Sequence, residues 1–346
     1  MSKLRWGLLA CGRIAEAFAA GVEQSDSGEV VAVASRNAER AEAFGARFGI
    51  SHCHGSYEAL LADPDVDAIY ISTPHPMHAE WAIKAAEAGK HILCEKPIAM
   101  NHADAKACVD AARTHDVFPM EAFMYRCQPL MAKVVELVRA GAIGDVQLIR
   151  ASFGFRCPFD LDSRLLSHAL GGGGILDVGC YPVSFSRLIA GVALGQEFAN
   201  PLQVKGLANV GAESGVDEWA CAVLEFPGNI LAQVSTGVQC AQDNGATIFG
   251  SEGQMDIPTP WFASGKEEGG SGDIIIRAEG QAPETITVET DKGIYGIEAD
   301  LVAASIANRQ APSPAMTWED TLGNMATLDA WRREIGLSFA ADSASS

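Results

Sequence analysis

Positive charge is scarce in this chain. Its 25 lysines and arginines face 44 aspartates and glutamates, leaving a formal net charge of −19 over 346 residues. Such a surface repels nucleic acid and anionic membranes and argues against either as a partner. Long apolar runs are also missing: none extends uninterrupted to the roughly 18 residues that a membrane-spanning helix needs. No cleavable leader is legible in Met1-Ser2-Lys3-Leu4-Arg5-Trp6, which leads straight into an expected strand. Cysteine lacks a pairing pattern. The nine are odd in number, scattered and mostly in apolar contexts such as Ile92-Leu93-Cys94, which suggests reduced thiols and a cytoplasmic protein. With 48% hydrophobic and 20% charged residues, the chain reads as folded and long enough for two domains.

Leu4–Ala10 is expected to be a strand, followed by Cys11-Gly12-Arg13-Ile14-Ala15 and an amphipathic helix to about Val22. Strand, glycine turn and helix form the context of a dinucleotide fingerprint, although Ala10, Gly12 and Ala15 stand at its three glycine positions. Gly12 would let a pyrophosphate approach the helix N-terminus. The second strand, Val30–Ala34, ends in Ser35-Arg36-Asn37, with Arg40 one turn on. The carboxylate that would hold a ribose 2′-hydroxyl is absent there, and paired guanidiniums suit a 2′-phosphate. The alternative is that Arg36 and Arg40 are only the exposed face of the helix Asn37–Phe48.

A third strand, Asp67–Ser72, ends in Thr73-Pro74-His75-Pro76-Met77-His78, and a fourth, Ile92–Cys94, ends in Glu95-Lys96-Pro97. Proline disfavours the helical conformation for the residue before it, so Lys96 should be held extended at a strand's carboxyl end, where open α/β sheets bind ligands. With the helix His102–Thr114 and the strand Val117–Met120, the alternation predicts a doubly wound parallel sheet of the Rossmann type over residues 1–124. His75 with His78, and His52-Cys53-His54, raise the question of a metal. Neither cluster has a further ligand set nearby in sequence, so no metal is expected.

From Val146 the grain changes. Val146–Phe155, Gln203–Val210, Glu218–Phe226, Ile230–Val238 and Thr247–Gly250 read as strands, with turns at Pro227-Gly228-Asn229 and Ser251-Glu252-Gly253. Residues 125–346 are therefore expected to form an α+β domain with a large, mainly antiparallel sheet. Residues 259–272 read as a mobile surface loop, Thr317 to about Phe339 as an amphipathic helix, and Ala340–Ser346 as a frayed tail. One element interrupts the strands: four glycines, Gly171–Gly174, precede Asp177 and Tyr181. If a helix has begun by Asp177, the spacing of four puts carboxylate and phenol on one face. A glycine loop with a capping Asp and a packed Tyr would read the same way.

Together, Ala10–Ala15, Thr73–His78, Glu95-Lys96-Pro97 and Gly172–Tyr181 resemble the glucose–fructose oxidoreductase/inositol dehydrogenase (Gfo/Idh/MocA) family over nearly the whole chain. The resemblance is strongest to the branch that uses NADP on aldoses and trans-dihydrodiols, with anhydrofructose reduction as a neighbouring activity. It implies an NADP-dependent oxidoreductase acting on a cyclic sugar or diol. Lys96 and Tyr181 would flank the reacting carbon, and Asp177 would orient a substrate hydroxyl. Ala10, Cys11, Gly12, Arg13, Ile14, Ser35, Arg36, Arg40, Thr73, Pro74, His75, His78, Glu95 and Lys96 would line the cofactor, with Arg164 and Tyr295 at its nicotinamide end. His75 replaces the family's common Asn, and Tyr181 stands where many members carry His. The absence of a lipobox or twin-arginine signal sets the chain apart from the periplasmic glucose–fructose enzyme. The family also contains non-catalytic NADP-sensing regulators, which leaves that reading open. The proton acceptor could be Tyr181, with Lys96 favouring its phenolate, or Lys96 itself. A homodimer or higher oligomer through the second domain is expected.

Overall fold

The computed structural model describes residues 3–266 and 268–344. Its first layer is built from β1 (Leu4–Leu9), α1 (Arg13–Val22), β2 (Gly28–Ala34), α2 (Ala38–Phe48), β3 (His52–His54), α3 (Tyr57–Leu61), β4 (Ala68–Ile71), α4 (His78–Glu87), β5 (His91–Glu95), α5 (His102–Thr114) and β6 (Pro119–Ala122). The six strands run parallel in the order β3-β2-β1-β4-β5-β6. Strands covered on both faces must be apolar almost throughout, and Ala68, Ile69, Tyr70 and Ile71 of β4 are all fully buried. In this topology the carboxyl ends of the strands form one edge, with a crevice where the strand order reverses beside β1. The β1–α1 turn and the ends of β2, β4 and β5 all lie on that edge.

After α6 (Met124–Cys127) and α7 (Pro129–Arg139) come β7 (Val146–Gly154), α8 (Cys180–Ala193), β8 (Gln203–Val210), β9 (Asp217–Phe226), β10 (Ile230–Gly237), β11 (Ala246–Gly250), β12 (Gly253–Ile257), β13 (Ser271–Ala278) and β14 (Glu284–Glu289). They form an eight-stranded sheet, β14-β13-β12-β11-β7-β10-β9-β8, antiparallel except where β7 meets β10. Alternation along β9 is regular: Ala220, Ala222, Leu224 and Phe226 are buried while Trp219 and Val223 are exposed. The apolar stretch of residues 171–192 is buried throughout. Then α9 (Ile294–Ser305), α10 (Trp318–Glu334) and α11 (Ala340–Ala344) return to the first layer. On that return, α9 packs on α1 and α10 on α5.

Two expectations about loops fail. Residues 259–272 are not a free surface loop: Trp261 is buried and its indole N–H donates to Ser152 O at 3.1 Å, while β13 already begins at Ser271. Glu267 lies outside the described residues. The tail is not frayed through Ala344 but forms α11, tied by the Arg332–Asp342 ion pair at 2.8 Å. Residues 345 and 346 lie outside the described part.

Candidate active site

The β1–α1 turn has the features of an anion cradle. Ala10 takes φ +100°, a backbone value that side chains resist, and so bends the chain sharply at the strand end. Gly12 caps α1 with extended backbone and no side-chain bond, and a Cβ placed on it would meet nothing within 4 Å. By contrast, Asn37, Asn101 and Thr317 cap α2, α5 and α10 with their side chains. The first amides of α1 are thus left for something else, and a helix N-terminus over open space favours a phosphate. Cys11 Sγ lies 3.7 Å from Ala34 O, joining this turn to the end of β2, while Ile14 is partly buried and Arg13 exposed.

At the β2 end, Ser35 is buried and its Oγ accepts from Asn37 N at 3.2 Å. Arg36 and Arg40 are exposed, and their charges reach inward: both act on Tyr57, and Arg40 on Cys11. Among the described residues of that turn there is no carboxylate before Glu39. At the β4 end, the Thr73 hydroxyl is buried without a hydrogen-bond partner. Pro74 leads into His75, whose Nδ1 lies 3.1 Å from Gly171 O, and burial drives its ring neutral with a pKa of about 3. His78 places its two ring nitrogens 2.7 Å from Thr73 O and from Pro97 O, locking the β4 and β5 turns together. An uncapped helix start and a pair of guanidiniums along one crevice fit a phosphorylated dinucleotide.

Lys96 ends β5 beside this crevice, with 13% of its side chain exposed. Its Nζ donates to Asp177 O at 2.7 Å, lies 3.8 Å from Asp177 Oδ1 and stands 5.3 Å from the centre of the Tyr181 ring. Arg164 Nη1 donates to Asp177 Oδ1 at 2.9 Å. Burial alone would raise the Asp177 carboxyl, but the Lys96 and Arg164 charges outweigh it and hold the pKa at about 2. The catalytic trio expected from the sequence is therefore brought together. Arg164 joins it through Asp177.

The helix has begun by Asp177, as the spacing required, but Ile175–Gly179 winds as a π-helix before α8. Pro182 gives the reason: its ring crowds the carbonyl four residues back and it has no N–H to offer, so the ladder widens there. The glycines fit the same need. Gly173 has φ +103°, and a Cβ on it would lie 2.1 Å from Asp217 Oδ1.

The surroundings of Tyr181 do not favour a phenolate. The ring is boxed by Phe123, Tyr125, Phe153 and Trp261 at 5.1–5.7 Å between ring centres. The hydroxyl donates to Met124 Sδ at 3.3 Å. Burial, and then the Glu95 carboxylate, raise it well above its ordinary value, while Lys96 Nζ lies over the ring, 5.3 Å from its centre. Glu95 accepts from the Tyr70 hydroxyl at 2.5 Å, and burial raises its own pKa. Tyr295 is 3% exposed and backs this cluster, with its Cβ against Gly21 of α1.

Sequence reasoning missed two supports. Asp217 accepts from Ile175 N at 2.6 Å and holds the π-turn, and Tyr70 anchors Glu95. Asp217 lies 42 positions from Ile175, with no motif between them. Tyr70 reads simply as one more residue of an apolar strand. The second histidine cluster has a neighbour that the sequence did not reveal. His52 and His54 do meet a third ligand group, Asp63, because the turn after α3 folds back on β3.

Comparison with known proteins agrees with this fold. Residues 4–123 match the oxidoreductase family with an NAD-binding Rossmann fold, and residues 131–256 match the GFO/IDH/MocA C-terminal domain. A trans-1,2-dihydrobenzene-1,2-diol dehydrogenase from Xenopus tropicalis is 36% identical over 97% of this chain and 99% of its own. A D-xylose 1-dehydrogenase (NADP(+)) from Haloferax volcanii is 31% identical over 94% and 96%. Among solved structures, a 3-ketoreductase from Actinomadura kijaniata in complex with NADP and TDP-benzene aligns with a TM-score of 0.82 and 27% identity, covering 96% of this chain and 98% of that one. Fold, crevice and sequence converge: the chain belongs to the GFO/IDH/MocA oxidoreductase family.

Proposed function

We propose that this protein is an NADP-dependent oxidoreductase acting on a hydroxyl-bearing carbon of a cyclic sugar or cyclic diol. The observation that carries this reading is Lys96, held between Asp177 and the Tyr181 ring beside a crevice whose helix start is uncapped. NADP supplies or accepts the hydride. The amides at the start of α1 hold the pyrophosphate, and Ser35, Arg36 and Arg40 hold the 2′-phosphate. Lys96 Nζ gives a proton to the substrate oxygen during reduction and takes it back during oxidation. Asp177, kept ionised, accepts from a neighbouring substrate hydroxyl, and Arg164 steadies it. The Tyr181 ring walls the site and excludes water. Diols and aldoses are the substrate classes named for the relatives above, and both present the adjacent hydroxyls this arrangement can grip.

The open face of the large sheet exposes Leu207, Trp219, Val223 and Leu231 on neighbouring strands, and a second copy of the chain covers it.

The test is an absorbance assay of aldoses, polyols and trans-dihydrodiols with NADP⁺ and NAD⁺ in parallel. NADP-linked turnover of at least one class is expected. Equal efficiency with both cofactors would overturn the cofactor assignment. Tight NADP binding without turnover of any substrate would identify a sensor instead.

A further inference from the structure

We propose that His52, His54 and Asp63 form a site for one divalent transition-metal ion of the zinc type, on the outer edge of the first sheet and apart from the active site. In β3, residues two apart share a face, so His52 and His54 point the same way. Cys53 points the other way, with its Sγ 3.6 Å from Ile50 O. Asp63 comes up from the turn after α3. Its Oδ2 lies 2.8 Å from His52 Nδ1 and 2.9 Å from His54 Nε2, and the three ligand atoms all fall within 4.8 Å of one another.

The carboxylate is already oriented as a one-oxygen ligand. Its Oδ1 accepts from Asp65 N at 2.8 Å, which leaves Oδ2 for the imidazoles. Asp63 is almost wholly buried, while His52 is 38% and His54 23% exposed in their side chains. The site therefore has a fixed floor, two adjustable walls and an open side for a water. Two imidazoles and a carboxylate are the donors of zinc and its neighbours, whereas magnesium and calcium require oxygens. Ligand distances of about 2.0–2.1 Å in a tetrahedron put donor atoms roughly 3.4 Å apart, so Asp63 Oδ2 draws back from each imidazole by about half an ångström while the two imidazole nitrogens, within 4.8 Å of each other, move closer, which the exposed rings allow. The nearby cations are otherwise engaged. Lys90 Nζ donates to Asp63 O and Val66 O at 2.7 Å each, and Arg5 pairs with Asp65 and Asp67. A bound ion would pin β3 to the Asp63 turn. It would also steady the 2′-phosphate turn, because Ser35 N donates to His54 O at 3.1 Å.

The experiment uses the full chain, stripped with a chelator and dialysed, then titrated with Co²⁺ by visible absorption and with Zn²⁺ by calorimetry. One equivalent should bind, without a thiolate-to-cobalt charge-transfer band, and Zn²⁺ should raise the melting temperature. His54→Ala and Asp63→Asn should each weaken binding by at least about 10–100-fold, the loss that even an outer-sphere partner causes. His52→Ala, at the more exposed ring, gives the same reading if Asp63→Asn does not fold. Failure to saturate at micromolar metal would overturn the proposal. So would a thiolate spectrum, or one-equivalent binding unchanged in both histidine variants.

Discussion

Lys96 and Tyr181 are neighbours in different surroundings, and the proposed function gives them different work. The ammonium meets oxygen atoms of Asp177, whereas the phenol is sealed against sulfur and aromatic rings. Lys96→Ala should therefore lower kcat by about 10²–10⁴-fold, the range of general acid–base catalysis. Tyr181→Phe should cost far less and leave the basic limb of the kcat/KM profile in place. Steady-state kinetics across pH measure both, and loss of that limb in Tyr181→Phe would restore the tyrosine as base. His75 offers a separate pH effect. Its folded-state pKa of about 3 lies below the ordinary 6.5, so the unfolded chain binds more protons between those values. Stability is then fully present above pH 6.5 and declines as pH falls toward 3. From pH 7 to pH 5 the loss from this ring should be about 2 kcal/mol. Urea unfolding at both pH values should show that His75→Asn loses less than the wild type by about that amount. Lys96 was legible in the sequence because proline marks its strand end, and Asp177 because glycines announce it. Asp217 and Asp63 act through turns that no spacing reveals.

Among the elements, the turn between β2 and α2 carries the cofactor preference in the proposed function. Arg36→Ala should weaken NADP binding by about 1.5–3 kcal/mol, as for a hydrogen bond to a charged group, and barely change NAD binding. Fluorescence titration with both nucleotides checks this, and equal losses would contradict it. The parallel strands were legible because they are continuous apolar runs between glycine- and proline-rich turns. β13 and β14 were not. Glycines crowd the start of β13 and obscure its buried face of Gly272, Ile274 and Ile276, while β14 is exposed or only partly buried along its length. Trp261 is held by a partner 109 residues away, a contact beyond the reach of local pattern.

For the molecule as a whole, the proposed dimer rests on the exposed sheet face. Light scattering at micromolar concentration should give at least a dimer mass. Leu207→Asp, which puts a charge on a side chain 78% exposed in the single chain, should shift it to monomer without unfolding. A monomer mass for the wild type would refute the arrangement. The return of α9 and α10 to the first layer has a consequence for how the protein is made. His102 N donates to Asp329 Oδ2 at 2.9 Å, Arg332 donates to Met100 O at 3.1 Å, and Asp300 accepts from the hydroxyls of Ser25 and Ser27. A ribosome delivers all six strands of the nucleotide layer by Ala122, but the helices that cover α1 and α5 only near the end of the chain. At about 5–20 residues per second that interval is roughly 10–40 s. Through it the nascent layer carries bare apolar helix faces, a standing invitation to chaperones.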